Sequence, residues 1–177
     1  YRWLFGESDG LPGLVADRFG AVVSVQSSCA FYVPLMKPIA ELLLEAEGVE
    51  GVRFQVAYHL EVVGNVPNDI EFELEGLAVS LQLEGAQKTG MFLDQRHNRV
   101  APAPFAKDAR VFDGHCHLGL WACHAAKAGA KSVLAVDTSQ AALDLAAANA
   151  ERNGVSEGIE FRCGDVEEIL AEEEPFD

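Results

Sequence analysis

The sequence predicts an α/β chain in two parts. Residues 1–75 read as a small α+β module with the order strand-strand-helix-strand-strand. Residues 105–177 read as the first half of a doubly wound parallel sheet, and residues 76–104 join the two as a β-hairpin and a linking helix. Three observations carry this reading. Residues 110–137 run as a short apolar stretch, a glycine-bracketed loop, an apolar-periodic helix and a β-branched stretch, which is a βαβ unit. A second helix and strand repeat that order up to Cys163. Residues 14–63 instead alternate short strands with glycine turns around one helical stretch.

In chain order, residues 6–13 (Gly-Glu-Ser-Asp-Gly-Leu-Pro-Gly) are rich in turn formers. Residues 14–17 and 21–27 are short strands, joined as a hairpin at Arg18-Phe19-Gly20. Residues 34–47 place Leu35, Ile39, Leu42, Leu43 and Ala46 at helical spacing, and Gly48 ends the helix. Residues 51–56 and 59–63 form a second hairpin. The expected arrangement is one helix on one antiparallel sheet, without catalytic residues, serving to contact a substrate or partner or to support the second part of the chain.

Residues 70–74 and 77–83 alternate apolar and polar side chains about Glu75-Gly76, the pattern of a hairpin. A helix is expected over 93–101, ended by Pro102 and Pro104. Lys88, Arg96 and Arg99 are three of only 13 basic residues, and they fall within 12 positions. Arg96 and Arg99, three apart, share a helix face. That face is either solvated or an anion site for a carboxylate or phosphate, for which the planar guanidinium is suited.

In the βαβ unit, residues 110–112 enter a loop at Asp113 that Gly114 and Gly119 bracket. Residues 120–128 form the helix, stopped by Gly129, and residues 132–136 form a strand that ends on Asp137. Asp113 and Asp137 thus stand at the carboxyl ends of neighbouring parallel strands, where open α/β sheets bind ligands. Asp137 lies 18 residues after Gly119, near the offset at which an acid accepts both hydroxyls of a ribose. The loop lacks the full G-x-G-x-x-G pattern. Fewer glycines suit a nucleoside without a pyrophosphate, which favours S-adenosylmethionine over NAD. Ser139 caps a helix over 140–152 that ends at Asn153-Gly154, and a third strand over 159–163 leads to Asp165. Asp165 can accept from an adenine amino group, cap the helix over 166–172, or do both.

Composition narrows the function classes. No stretch reaches the roughly 18 apolar residues of a membrane span. Four scattered cysteines (Cys29, Cys116, Cys123, Cys163) suggest a reducing, cytoplasmic setting. The net charge is −15, shared between the parts: fourteen acids against seven bases in 1–104, and fourteen against six in 105–177. Such a surface repels phosphate backbones and favours solubility.

The stretch Gln87-Lys88-Thr89-Gly90-Met91-Phe92-Leu93-Asp94-Gln95-Arg96, with Asn98 and Arg99, closely resembles the segment before the catalytic domain of bacterial 23S ribosomal RNA methyltransferases of the large-subunit methyltransferase I type. Residues 6–20, Asn149 and Asn153-Gly154 resemble the same family. The resemblance implies a Rossmann-like class I S-adenosylmethionine fold and methylation of ribosomal RNA, at cytosine carbon 5 or, in a sister branch, guanine nitrogen 7. It implies cofactor contacts from Phe92, Gln95 and Arg96, and from loop residues Asp113, Gly114, His115, Cys116, His117 and Gly119. Asp137 with Thr138 and Ser139 would serve the ribose, and Asp165 with Val166 the adenine. Two departures weaken cofactor affinity in this reading: Leu118 replaces a hydroxyl residue and Leu120 a glycine.

The family's Asp-Pro-Pro motif does not occur in the sequence and is expected beyond Asp177, as its RNA-binding domain is expected before Tyr1. The chain is therefore read as inactive by itself, with ribosomal RNA bound through other domains and no catalytic residue assigned. An open sheet edge is expected beside residues 110–112, covered by further chain or by a second copy in a homodimer. A zinc site from His115, Cys116, His117, Cys123 and His124 matches no standard ligand spacing. An NAD-linked oxidoreductase and a non-catalytic assembly module are the alternatives from other classes.

Overall fold

The computed structural model describes residues 1–86 and 88–177, so Gln87, the first residue of the family-like motif, lies outside the described residues. The chain divides into two units. One comprises residues 1–72 and 81–93, and the other residues 73–80 and 94–177.

The first unit is built on a five-stranded sheet of order β1-β2-β3-β4-β5. Its strands are β1 (Arg2–Phe5), β2 (Leu14–Phe19), β3 (Val22–Ser27), β4 (Gly51–Val56) and β5 (His59–Gly64). The sequence reading missed β1, which carries only four residues and pairs antiparallel to β2. The expected single antiparallel sheet is also corrected. β3 and β4 are parallel, from Val22 against Gly51 to Ser27 against Val56. The helix α1 (Met36–Leu44) is the crossover between them, and a parallel pair needs such a connection where two hairpins do not. Alternate residues Val23, Val25, Val52, Phe54 and Val56 meet Met36 and Ala40 of α1, with Ile39, Leu43 and Leu44 packed around them. Leu42, expected on that face, points outward at 66% exposure.

Residues Asp69–Leu74 (β6) and Leu77–Gln82 (β7) form the two-stranded hairpin foreseen from their alternation. Its turn uses Glu75 and Gly76, both with positive φ (53° and 75°), as tight hairpin turns require.

The second unit holds a parallel sheet of order β10-β9-β8: β8 (Arg110–Gly114), β9 (Ser132–Asp137) and β10 (Ile159–Cys163). Its ladders are in direct register, Gly114 opposite Val136 and Cys163 opposite Asp137. Helices α2 (Arg96–Val100), α3 (Leu120–Lys127), α4 (Gln140–Arg152) and α5 (Val166–Glu172) complete it. Leu134 and Val136 pack on Ile169 of α5, with Phe112, Val166 and Phe176 around them. The alternate positions Val133 and Ala135 are buried on the other face of the strand. Both faces of this short sheet are therefore covered, as its unbroken apolar runs require. Among the described residues, no helix is long and apolar enough to cross a membrane.

Candidate functional site

The site is built where β8, β9 and β10 end, and the loop from Gly114 to Gly119 is its centre. The loop is left-handed at His115 (φ 59°), His117 (48°) and Gly119 (69°). Gly119 takes that conformation freely, but the two histidines pay backbone strain, which persists only where the surroundings enforce it. Here Cys116 N–H donates to the Val136 carbonyl at 3.0 Å, and Gly119 N–H donates to the Cys116 carbonyl at 2.7 Å. Gly119 also permits close approach, because a Cβ there would lie 2.8 Å from the Cβ of Ala146 on α4. Gly114 does the same on the other side, where a Cβ would meet Val166 at 2.9 Å.

Asp137 knits the loop to β9. Its Oδ2 accepts the His117 amide and its Oδ1 the Ser139 amide, each at 3.0 Å. Ser139 in turn caps α4, its hydroxyl accepting from Ala142 N–H. Gly164 N–H donates to the Asp137 carbonyl at 3.1 Å, and the Cys163 thiol lies 3.5 Å from the Thr138 carbonyl. Asp165 stands next, exposed, with its Oδ1 capping α5 through Glu167 and Glu168 N–H. The foreseen loop, Asp137, Thr138, Ser139, Asp165 and Val166 are thus gathered by one sheet edge.

Asp113 is placed differently from Asp137. Its carboxylate turns under α3, accepts Ala122 N–H at 3.0 Å and is only 9% exposed. Burial pushes its pKa up to about 7, with Asp137 adding and the Ala122 bond opposing. Its observed contact is with the helix after the loop. Burial also raises both neighbouring thiols, Cys123 to about 11 and Cys116 further still, which makes neither a ready nucleophile. Burial lowers the His117 pKa, against the pull of Asp137. Among the described residues no group of three His, Cys, Asp or Glu side chains can hold a metal ion.

In the basic stretch before this site, Arg99 is not the open anion-binding group the sequence allowed. Arg99 is 3% exposed and forms a two-pronged pair with Glu75, Nε at 3.1 Å and Nη2 at 3.0 Å. Arg96 Nε lies 3.6 Å from the same carboxylate, and His124 Nε2 3.5 Å. The sequence marks Glu75 only as a turn residue. It belongs to the second unit, where the two guanidiniums and the His124 imidazole converge on it. Gln95 accepts from Asn98 within its own helix turn. Phe92 belongs to the first unit, with the Lys88 ammonium 4.2 Å from its ring centre.

Asn149 of α4 and Asn153 at its C-cap are part of the family resemblance; beyond it, the sequence marked Asn153 only as a helix stop and Asn149 not at all. Asn149 and Asn153, four apart, use their side-chain amides to pair with the backbone of Ser80 and Ala78 on β7. Asparagines spaced by one helical turn and facing an apolar core are the signal that could have revealed them.

Residues 111–177 match a family model described as a methyltransferase domain. The chain is 36% identical over 165 residues to the ribosomal RNA large subunit methyltransferase I of Alteromonas mediterranea, an alignment covering 87% of this chain and 42% of that protein. It spans less than half the length of the curated relatives it matches. Among solved structures, a chain from Streptococcus mutans assigned as a SAM-dependent methyltransferase superposes with a TM-score of 0.85 at 20% identity, covering 97% of this chain and 47% of that one. SMU.776, assigned as a methyltransferase and solved with S-adenosylhomocysteine (SAH), gives 0.84 at 20% identity, with the same coverages of 97% and 47%. At that identity the likeness is one of fold, the Rossmann-like fold of SAM-dependent methyltransferases. The family resemblance read from residues 6–20 and 87–99, Asn149 and Asn153-Gly154 is matched along most of the chain.

Proposed function

We propose that this chain is the cofactor-binding portion of an S-adenosylmethionine-dependent methyltransferase of the ribosomal RNA large-subunit methyltransferase I type. The observation that carries the proposal is Asp137. A carboxylate offers about four acceptor positions. Two of those on Asp137 hold the His117 and Ser139 amides, which leaves capacity for the two hydroxyls of a ribose. Asp165 has one oxygen engaged at the α5 amides, and in this reading its other oxygen receives the adenine amino group. The backbone of Gly114, His115, Cys116, His117 and Gly119 lies along the nucleoside, flanked by Thr138, Ser139 and Val166. Gln95 and Arg96 serve the methionine end.

A bound S-adenosylmethionine supplies the transferable methyl on its sulfonium. The protein's part is to hold that group in line with the base, a proximity effect worth roughly 7–11 kcal/mol at best. The proposed acceptor is cytosine carbon 5 of ribosomal RNA, reached only when the base is out of its stack. The charge of −15 makes this chain a poor RNA binder by itself. The proposal therefore assigns RNA capture to other parts of the parent protein.

Isothermal titration with SAH, S-adenosylmethionine and NADH tests the reading. Binding of the two adenosyl ligands without NADH is the expected result. Binding of NADH alone would overturn it.

A further inference from the structure

Asn149 is fully buried, and its side-chain amide is used at both ends. Oδ1 accepts the Ser80 amide at 2.7 Å. Nδ2 donates to the Ser80 carbonyl at 3.1 Å and to the Leu118 carbonyl at 3.2 Å. The amide has one workable orientation, since turning it over would set its oxygen against two carbonyls. Asn153, one turn later, grips Ala78 in the same way at 3.0 and 2.7 Å. Its remaining donor goes back to the Asn149 carbonyl at 2.8 Å, not to the loop. Together the two amides stand in for a neighbouring strand along β7, but only Asn149 also reaches the loop.

The peptide it reaches matters. Leu118 sits between His117 and Gly119, both left-handed at φ 48° and 69°, and is 4% exposed. The β9 side of the loop is secured by the Cys116–Val136 bond and by Asp137 on His117. On the α4 side, Ala146 supplies only a close apolar contact with Gly119. The Asn149 amide is the polar tether there, and a buried carbonyl that loses its donor is costly.

We propose that Asn149 is a positioning residue for the cofactor loop: it fixes the Leu118 peptide to β7, so that the hairpin as well as the sheet sets the loop's shape. The inference rests on the nucleoside reading of this loop, and Asn153 supplies a matched control within the same helix. The test compares Asn149→Ala and Asn149→Ser with Asn153→Ala in the full chain. The Ser variant leaves a polar group that water can bridge, should the Ala variant fail to fold.

Amide hydrogen exchange of residues 114–119, measured without ligand, should quicken in the Asn149 variants and stay unchanged in Asn153→Ala. SAH should bind about tenfold more weakly to the Asn149 variants, the loss of one buried hydrogen bond, and within about twofold of wild type to Asn153→Ala. Equal effects from both positions, or none on the loop, would show that Asn149 only secures the hairpin and would overturn the proposal. If wild type does not bind SAH while loop exchange still separates the two positions, the tether stands and the nucleoside reading falls.

Discussion

Replacing Asp113 by Asn should make the protein markedly more resistant to unfolding at alkaline than at acidic pH, relative to wild type. Asp113 is buried at 9% exposure against Ala122 N–H of α3, and burial raises its pKa to about 7. Its ordinary value is about 3.9, so the difference of about three units corresponds to about 4 kcal/mol in full. The sign comes from proton binding. Below about pH 4 both folded and unfolded chains hold the proton, and the contribution to stability is complete. As pH rises toward 7 and through it, the unfolded chain gives up its proton more readily, and that stability is lost. Between pH 5 and pH 8 the loss is about 2.5 kcal/mol. Asn keeps an oxygen for the Ala122 amide and cannot ionise. Its pH-independent penalty, an added pair of amide donors, drops out when two pH values are compared. Urea unfolding of Asp113→Asn and wild type at pH 5 and pH 8, read as midpoints at constant slope, should show the variant's relative stability rising by about 2–3 kcal/mol across that range. A difference constant to within about 0.5 kcal/mol would refute the argument that this carboxyl is buried against its own charge.

The remaining predictions test the site and its supports. Asp137→Ala should weaken SAH binding by about 1.5–3 kcal/mol, the worth of charge-assisted hydrogen bonds, and an unchanged titration would mean the ribose is misplaced. Gly119→Ala combines a left-handed backbone at φ 69° with a Cβ 2.8 Å from Ala146. It should lower unfolding stability by about 2–4 kcal/mol, and a variant as stable as wild type would show that α4 can draw back. Arg99→Leu leaves the buried Glu75 carboxylate without its two-pronged partner and should cost about 3–5 kcal/mol. Adding Glu75→Leu should restore much of that in a double-mutant cycle, and simple additivity would argue against a buried pair. Phe54→Ala in the first unit, at a fully buried position, should cost about 3–5 kcal/mol by denaturation. A loss under about 1 kcal/mol would place Phe54 outside the core.

The buried ion cluster and the site illustrate one division of labour. Glu75 gathers Arg99, Arg96 and His124, and the Lys127 ammonium caps the neighbouring Gly76 carbonyl at 2.8 Å. The hairpin turn is thereby pinned to α2 and α3 within the second unit. Burial lowers the His124 pKa, against the opposing pull of Glu75, so this histidine stays neutral near pH 7 while the arginines carry the charge. Asn149 and Asn153 pin the β7 strand to α4. The hairpin therefore braces the helices around the proposed nucleoside site.

Local signals foretold the second unit closely. Apolar spacing, the Ser139 and Asp165 caps and the glycine stops act within a few residues, and they marked α3, α4, α5 and the strand ends almost to the residue. The positions of Asp137 and Asp165 came from the same strand ends. No local pattern carried the choice of distant partners. The parallel joining of β3 to β4, the hold of Glu75 on Arg99 across 24 residues and of Asn149 on Ser80 across 69 became visible only in the folded chain. Asp113 and Asp137 look alike as acids at strand tips, yet one is buried beneath a helix and the other is only half-buried. Hydrophobic periodicity tells a segment what to become. Burial, and which group relieves a buried charge, depend on everything packed around it.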